Sequence, residues 1–225
     1  MKTVLITGVG KGIGKALTGR FLRDSFFVVG TYYTKEPDLK NENLALFQLD
    51  LTKPKSIETC IRQVSQLGKK IDILINNAGV LLDEEETKVV DEKLRATLEV
   101  NLIGAINFTE QMIPFLISGS HIVNISSSAG SLELPAIHDH SPYHYPAYKI
   151  SKVALNMYTR TLVNRFQNEK LDITVSSVHP GWVKTDMGGE DADMTPQEAV
   201  EHIFKLATSK VETGQFWFKG EKFPW

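Results

Sequence analysis

Apolar positions along this chain follow two rhythms. Short runs of consecutive apolar residues alternate with longer stretches in which they recur every three or four positions. Consecutive runs are what strands show when helices cover both faces of their sheet, and a three-to-four repeat is one face of a helix. The runs predict strands at 3–7, 26–32, 44–50, 71–76, 121–126, 172–178 and 214–218. The periodic stretches predict helices over about 13–24, 54–67, 91–117, 147–168 and 196–208. Alternation of this kind implies βα units and an α/β fold: a doubly wound, Rossmann-type parallel sheet of about seven strands with helices on both faces.

There is no internal repeat, low-complexity stretch or linker, so one domain is expected over 1–225. The least regular segments, 79–90, 127–146 and 179–195, all follow predicted strands. Ligands of open parallel sheets bind at the carboxyl ends of the strands, so these loops are expected to line a site.

Composition narrows the function classes. Lys+Arg 25 against Asp+Glu 27 leaves a net charge of -2, which gives no reason to expect a nucleic acid or an acidic membrane as partner. No apolar run is long enough to cross a bilayer. The start "MKTVLITG" runs from a strand into a glycine loop with no room for a signal peptide, and the one cysteine, Cys60, has no internal partner. A reducing, cytoplasmic location is the expectation.

That glycine loop, "TGVGKGIG" at 7–14, joins the first strand to the first helix. Gly8 permits a tight turn, Gly12 lets backbone approach a pyrophosphate, and Gly14 lets helix and sheet pack closely. The helix that follows offers free N–H groups and a positive dipole end to phosphates. An acid closing the second strand would favour NAD by binding the ribose 2′-OH, but the strand ends "GTYYTKEP", with Tyr32 and Tyr33 in its place. Lys11 and Lys35 supply cations for a 2′-phosphate, so NADP(H) is favoured over NAD(H).

"YHYPAYKISK" at 143–152 holds two tyrosines, each with a lysine four residues on. A Tyr-x-x-x-Lys pair on a helix shares a face, and an ammonium beside a phenol favours the phenolate. Pro146 decides between them. The residue before a proline is pushed out of the helical region, and proline suits a helix's first turn. The helix therefore starts near Pro146, leaving Tyr145 outside and Tyr148 and Lys152 inside, one turn apart. A chemical tyrosine paired with a lysine is expected at 148 and 152, and Lys152 is expected to lower the pKa of Tyr148.

"TGVGKGIG", "NNAG" (76–79), "SSSAG" (126–130), "YKISK" (148–152) and "HPGWVKT" (179–185) occur in the order seen in short-chain dehydrogenases/reductases, and the chain resembles that family over essentially its whole length. Through "YKISKVALNM", "HPGWVKTDMGG" and "FPW" it is most similar to the sniffer-like and C-factor-like carbonyl reductases. The resemblance implies a catalytic set of Ser127, Tyr148, Lys152 and Asn101. It implies a cofactor cradle of Gly8, Lys11, Gly12, Ile13 and Gly14, with Tyr33, Asp50 and Leu51 toward the adenosine end. Asn77, Ala78 and Gly79 lie beside the cofactor, and Pro180, Gly181, Val183 and Thr185 hold its nicotinamide end. Tyr148 and Lys152 also face the cofactor. Ser127 is flanked by Ser126 and Ser128, and Tyr148 follows it by twenty-one positions, a longer interval than the family usually has.

The activity so implied is hydride transfer between a nicotinamide and a small or medium carbonyl or alcohol substrate. Ser127 would bind the carbonyl oxygen and Tyr148 would act as acid or base. The other class of function is a signalling or interaction protein that keeps the cofactor fold. Pairing of helices 91–117 and 147–168 into a homodimer is implied by the same resemblance. His138, His140 and His144 have ligand chemistry but no ligand spacing, so a solvated or substrate-lining loop is expected there and no metal. The acidic run 83–92 reads as solvated surface, and Trp182 as either a pocket wall or a structural aromatic.

Overall fold

A computed structural model of the chain describes residues 1–134 and 144–225. Its centre is one eight-stranded sheet formed by β1 (Thr3–Ile6), β2 (Phe27–Tyr32), β3 (Leu44–Gln48), β4 (Ile71–Asn76), β5 (Leu116–Ile125), β6 (Ile173–Val178), β7 (Gln215–Phe218) and β8 (Glu221–Lys222). The strand order is β3-β2-β1-β4-β5-β6-β7-β8, parallel throughout except for the last pair. The order reverses between β1 and β4, the place where a doubly wound sheet opens a crevice.

Successive residues of β1 point to opposite faces, and both faces are buried. Leu5 joins Leu74, Ile122 and Val175 in a core closed by Phe108, Leu162 and Phe166. Val4 and Ile6 join Ile73, Ile75 and Val123 beneath Leu17, Phe21 and Ile203. The first core belongs to α2 (Pro54–Gln66), α4 (Ala105–Met112) and α5 (Pro146–Glu169), the second to α1 (Gly12–Arg23) and α6 (Pro196–Thr208). Cys60 is buried on α2, and burial raises its thiol to about 12, which keeps it protonated.

Two elements differ from the sequence expectation. The helix expected over 91–117 is α3 (Asp91–Leu98), a π-helical turn Glu99–Gly104, α4 and a short 3₁₀ turn Ile113–Phe115. Pro114 lies in that 3₁₀ turn, where its missing N–H ends the ladder, so β5 starts at Leu116 rather than at 121. Leu116 pairs with Ile71, and the register then shifts before Ile73 meets His121. The second difference is β8, a two-residue strand turned back on β7 by Lys219 and Gly220, both at positive φ.

One buried base makes the packing sensitive to acid. His121 on β5 is 4% exposed, with Nε2 2.9 Å from Ser176 Oγ and a hydrogen bond to the backbone of Ala207. Burial lowers its pKa from 6.5 to about 4. The unfolded chain then binds the extra proton between those values, so this contribution to stability is present above 6.5 and is lost as pH falls toward 4. Denaturant unfolding is expected to show about 2 kcal/mol less stability at pH 5 than at pH 7 from this group. His121→Gln should flatten that part of the profile.

Candidate active site

The loops leaving β1, β4, β5 and β6 meet at one end of the sheet, and a small set of hydrogen bonds holds them in register. Thr7 Oγ1 accepts from the amides of Asn77 and Ala78, both at 3.0 Å. Asn77 Nδ2 donates back to the carbonyls of Thr7 (2.8 Å) and Gly8 (3.1 Å). The ends of β1 and β4 are thus clasped directly under the glycine loop.

In that loop Gly8 has φ +74° and Gly14 lies against it: a Cβ at Gly14 would stand 2.1 Å from the carbonyl oxygen of Gly8. The first amides of α1 have no side-chain cap, because the residue before the helix is Lys11, and no acidic residue stands in the first turn. An uncapped helix start of this kind fits a pyrophosphate. Gly12 (φ +53°) faces Thr185 across the crevice, and Ile13 turns inward against the α1–α6 core.

Two depressions lie beyond the ends of β2 and β3. One, about 340 Å³, is lined by Tyr33, Thr34, Gln48, Asp50, Lys53 and Ser56. Burial raises the pKa of Asp50, but hydrogen bonds from Thr52 and Lys53 more than offset it, so the carboxyl sits below its usual range. Leu51 beside it is buried. The other, about 510 Å³, brings Lys15, Lys35 and Lys40 together with Gly10, Glu36 and Asp38. Lys15 and Lys40 were missed in the sequence; Lys15 stands one turn after Lys11, which was the signal for it. Lys11 itself is engaged elsewhere: its Nζ pairs with Asp186 Oδ2 at 2.5 Å, with both side chains about three-quarters exposed (77% and 74%). Such a pair contributes little and yields readily to a competing anion.

On the far side of the crevice, Pro180, Gly181, Val183 and Thr185 follow β6. Gly181 takes φ +94°, the Pro180 carbonyl meets His202 Nε2 at 3.1 Å, and buried Val183 pairs with Met194. Thr185 Oγ1 accepts from Gly188 N, and Trp182 Nε1 donates to the Gly188 carbonyl at 2.7 Å, so Trp182 pins this loop.

Ser127, Tyr148, Lys152 and Asn101 come together at the head of α5. Lys152 is 5% exposed; its Nζ donates to the Ile125 carbonyl (2.9 Å) and lies 5.4 Å from the Tyr148 ring centroid. Burial lowers the Lys152 pKa to about 8. Burial also pushes the Tyr148 phenol up to about 12, with a hydrogen bond to Ser127 pulling it down. The expected lowering of Tyr148 by Lys152 is therefore corrected: desolvation sets the direction, and Ser127 rather than Lys152 is the group that opposes it. The contact with Tyr148 distinguishes Ser127 from its neighbours, since Ser126 is buried with no side-chain partner among the described residues and Ser128 offers its amide to His179 Nδ1 (3.2 Å).

Asn101 lies in the π-helical turn, an irregularity often found at functional sites. Its Oδ1 accepts from Val80 N (2.7 Å), and its Nδ2 donates to Val80 O (2.9 Å) and Ser151 Oγ (3.0 Å). It meets Lys152 only across Gly79, where an added Cβ would stand 3.3 Å from Asn101 Oδ1 and 3.7 Å from Lys152 Nζ.

Tyr145 stands just before α5, outside the helix, yet Lys149 Nζ still reaches its ring, 5.0 Å from the centroid. Leaving the helix did not separate that pair. The acidic run at 83–92 also needs correction. Asp83 is 1% exposed and accepts the Ala147 amide at 2.6 Å, because a buried helix start needs an acceptor and the chain supplies none locally. His138 and His140 lie outside the described residues, and His144 is exposed.

The tail also contributes. The Trp225 carbonyl accepts from Leu132 N (2.7 Å), Glu133 N (2.8 Å) and Ser131 Oγ (3.0 Å), just beyond the serine segment. The glycine loop, the serine–tyrosine–lysine group and the asparagine turn are arranged at one end of the sheet as an oxidoreductase of the short-chain type requires.

The comparisons agree. Residues 2–196 match the family model described as short chain dehydrogenase, and the chain belongs to that family. It is 30% identical over 225 residues to the 3-oxoacyl-(acyl-carrier-protein) reductase of Thermotoga maritima, covering 96% of this chain and 84% of the relative. It is 34% identical over 161 residues to the C-signal protein of Myxococcus xanthus, covering 69% and 93%. Among solved structures, NADPH-bound carbonyl reductase from chicken fatty liver superposes with a TM-score of 0.89 at 28% identity, covering 100% of this chain and 99% of that one. The carbonyl reductase Sniffer of D. melanogaster gives 0.89 at 26% identity over 100% of both. No described helix is long and apolar enough to cross a membrane.

Gly14→Ala should displace the Gly8 carbonyl or the start of α1. Dinucleotide titration should show a loss of affinity of roughly tenfold or more, with the far-UV spectrum unchanged.

Proposed function

We propose that this protein is an NADP(H)-dependent carbonyl reductase acting on a small or medium carbonyl or alcohol. The observation that carries the reading is the contact of the Tyr148 phenol with Ser127, one helical turn from buried Lys152, at the end of the crevice begun by the glycine loop.

A nicotinamide held in the crevice would supply or accept the hydride. The chain's own residues do the rest. Ser127 holds the carbonyl oxygen beside the Tyr148 hydroxyl, and Tyr148 gives that oxygen a proton as negative charge develops on it. A phenol held near 12 stays protonated at neutral pH and suits the donor role in reduction. Lys152, charged below about 8, stabilises the tyrosinate left behind. Preference for the 2′-phosphate is supported by Lys15, Lys35 and Lys40 around one depression, and by the NADPH bound in the chicken relative. A homodimer through the segment from α3 to α4 and through α5 belongs to the same proposal, with Ile150 and Met157 exposed on α5.

A signalling role without turnover is the second reading, supported by the likeness to the C-signal protein. Consumption of NADPH and NADH over a panel of aldehydes, ketones and quinones separates the two. Turnover with NADPH should fall at least hundredfold in Tyr148→Phe while NADPH still binds. Binding without turnover on any carbonyl would favour the second reading, and faster turnover with NADH would overturn the cofactor assignment. In wild type, the reductive kcat should decline as pH rises above about 8, where Lys152 loses its charge.

A further inference from the structure

We infer that Asp83 is a positioning residue for Tyr148, closing a ring of hydrogen bonds that fixes the start of the helix on which Tyr148 stands. This rests on the oxidoreductase reading and adds to that site a residue outside its serine, tyrosine, lysine and asparagine.

The start of α5 is poorly provided for by its own sequence. Tyr145, before the first turn, has φ 29° and ψ 61° and makes no side-chain cap. Pro146 has no N–H, so the amide of Ala147 is the first donor needing an acceptor. Asp83 Oδ2 meets it at 2.6 Å from sixty-four positions earlier in the chain. A carboxylate also suits the positive end of the helix dipole.

The stretch 80–83 is held at its other end as well. Val80 exchanges two hydrogen bonds with Asn101, Asn101 Nδ2 donates to Ser151 Oγ, and Ser151 Oγ donates to the Tyr148 carbonyl at 2.7 Å. The circuit runs from Val80 through Asn101 and Ser151 to Tyr148, and returns through Ala147 and Asp83. Tyr148 is therefore pinned on both sides of its backbone, and without Asp83 the circuit is open. A tyrosine at positive φ directly before a proline is also strained, and strain persists only where the surroundings over-determine it.

Capping the helix does not by itself require an acid here, although the dipole and nearby Lys93 favour one. Asp83 Oδ1 is buried with no partner among the described residues, and a half-satisfied buried carboxylate is costly. A serine, threonine or asparagine caps as well without burying a charge. What the aspartate adds is a short, charge-assisted contact that leaves the helix start one position to occupy.

The test compares Asp83→Ala and Asp83→Asn with wild type in kcat, KM for NADPH, Tm and amide exchange over residues 147–152. Asp83→Ala should lower kcat roughly tenfold to hundredfold, with KM for NADPH little changed, because a small displacement of a reacting group costs rate rather than cofactor binding. Asp83→Asn keeps an acceptor for Ala147 but buries an unpaired amide group. It should lower Tm yet retain most of the rate and the slow exchange of Ala147. Wild-type kcat in Asp83→Ala, measured well below its Tm, would overturn the inference, as would equal loss of rate in both variants. If wild type turned over no carbonyl, the oxidoreductase reading would fail, and exchange would decide the positioning claim alone. Faster exchange of residues 147–149 in Asp83→Ala but not in Asp83→Asn would support it; unchanged exchange in both would overturn it.

Discussion

A parallel sheet buried on both faces must send every crossover out at the same edge, and the rest of this molecule depends on that constraint. β1, β4, β5 and β6 stand side by side, so their outgoing loops collect over one short stretch of edge. Four loops with buried polar backbone then need partners, and they find them in one another. Thr7 and Asn77 join the first two, the Ile125 carbonyl receives Lys152, and His179 receives the amide of Ser128. Chemical groups are gathered there because unsatisfied backbone is gathered there first.

Much of this could be read from the residues. The strand runs and the glycine loop were legible because each rests on a local rule, apolar period or backbone freedom. Pro146 settled the start of α5 by sterics alone. What escaped the sequence was set by tertiary contact. Asp83 sits in a run of acids that looks solvated, and only the distant Ala147 amide explains its burial. Desolvation of the part-buried Tyr148 has no local signature, so its pKa is raised, opposite to the expectation drawn from the lysine one turn away. Lys11 stood in the right loop, but its partner, Asp186, comes from the other wall of the crevice. β8 was passed over because two residues carry no period, although the Lys219–Gly220 turn marked the place.

The π-helical turn at Glu99–Gly104 and the strained Tyr145 share a lesson. Both depart from ideal backbone, and both lie where side chains converge on Tyr148. An ideal helix through 91–112 would carry Asn101 on a different bearing, away from Val80 and Ser151. Local regularity has been given up where several parts of the chain must agree on one arrangement.

The anchoring of the serine segment bears on how the molecule forms. Ser128 is held by His179, which follows β6, and Ser131 to Glu133 are held by Trp225, beyond β8. Each contact closes a loop of many tens of residues, the slowest and entropically most demanding kind of closure. The sheet can add strands outward from β1, but the segment around Ser127 acquires its shape only once the last-made strands have docked. A chain lacking β7 and the residues after it would keep most of its core but lose the partner that holds Ser131 to Glu133.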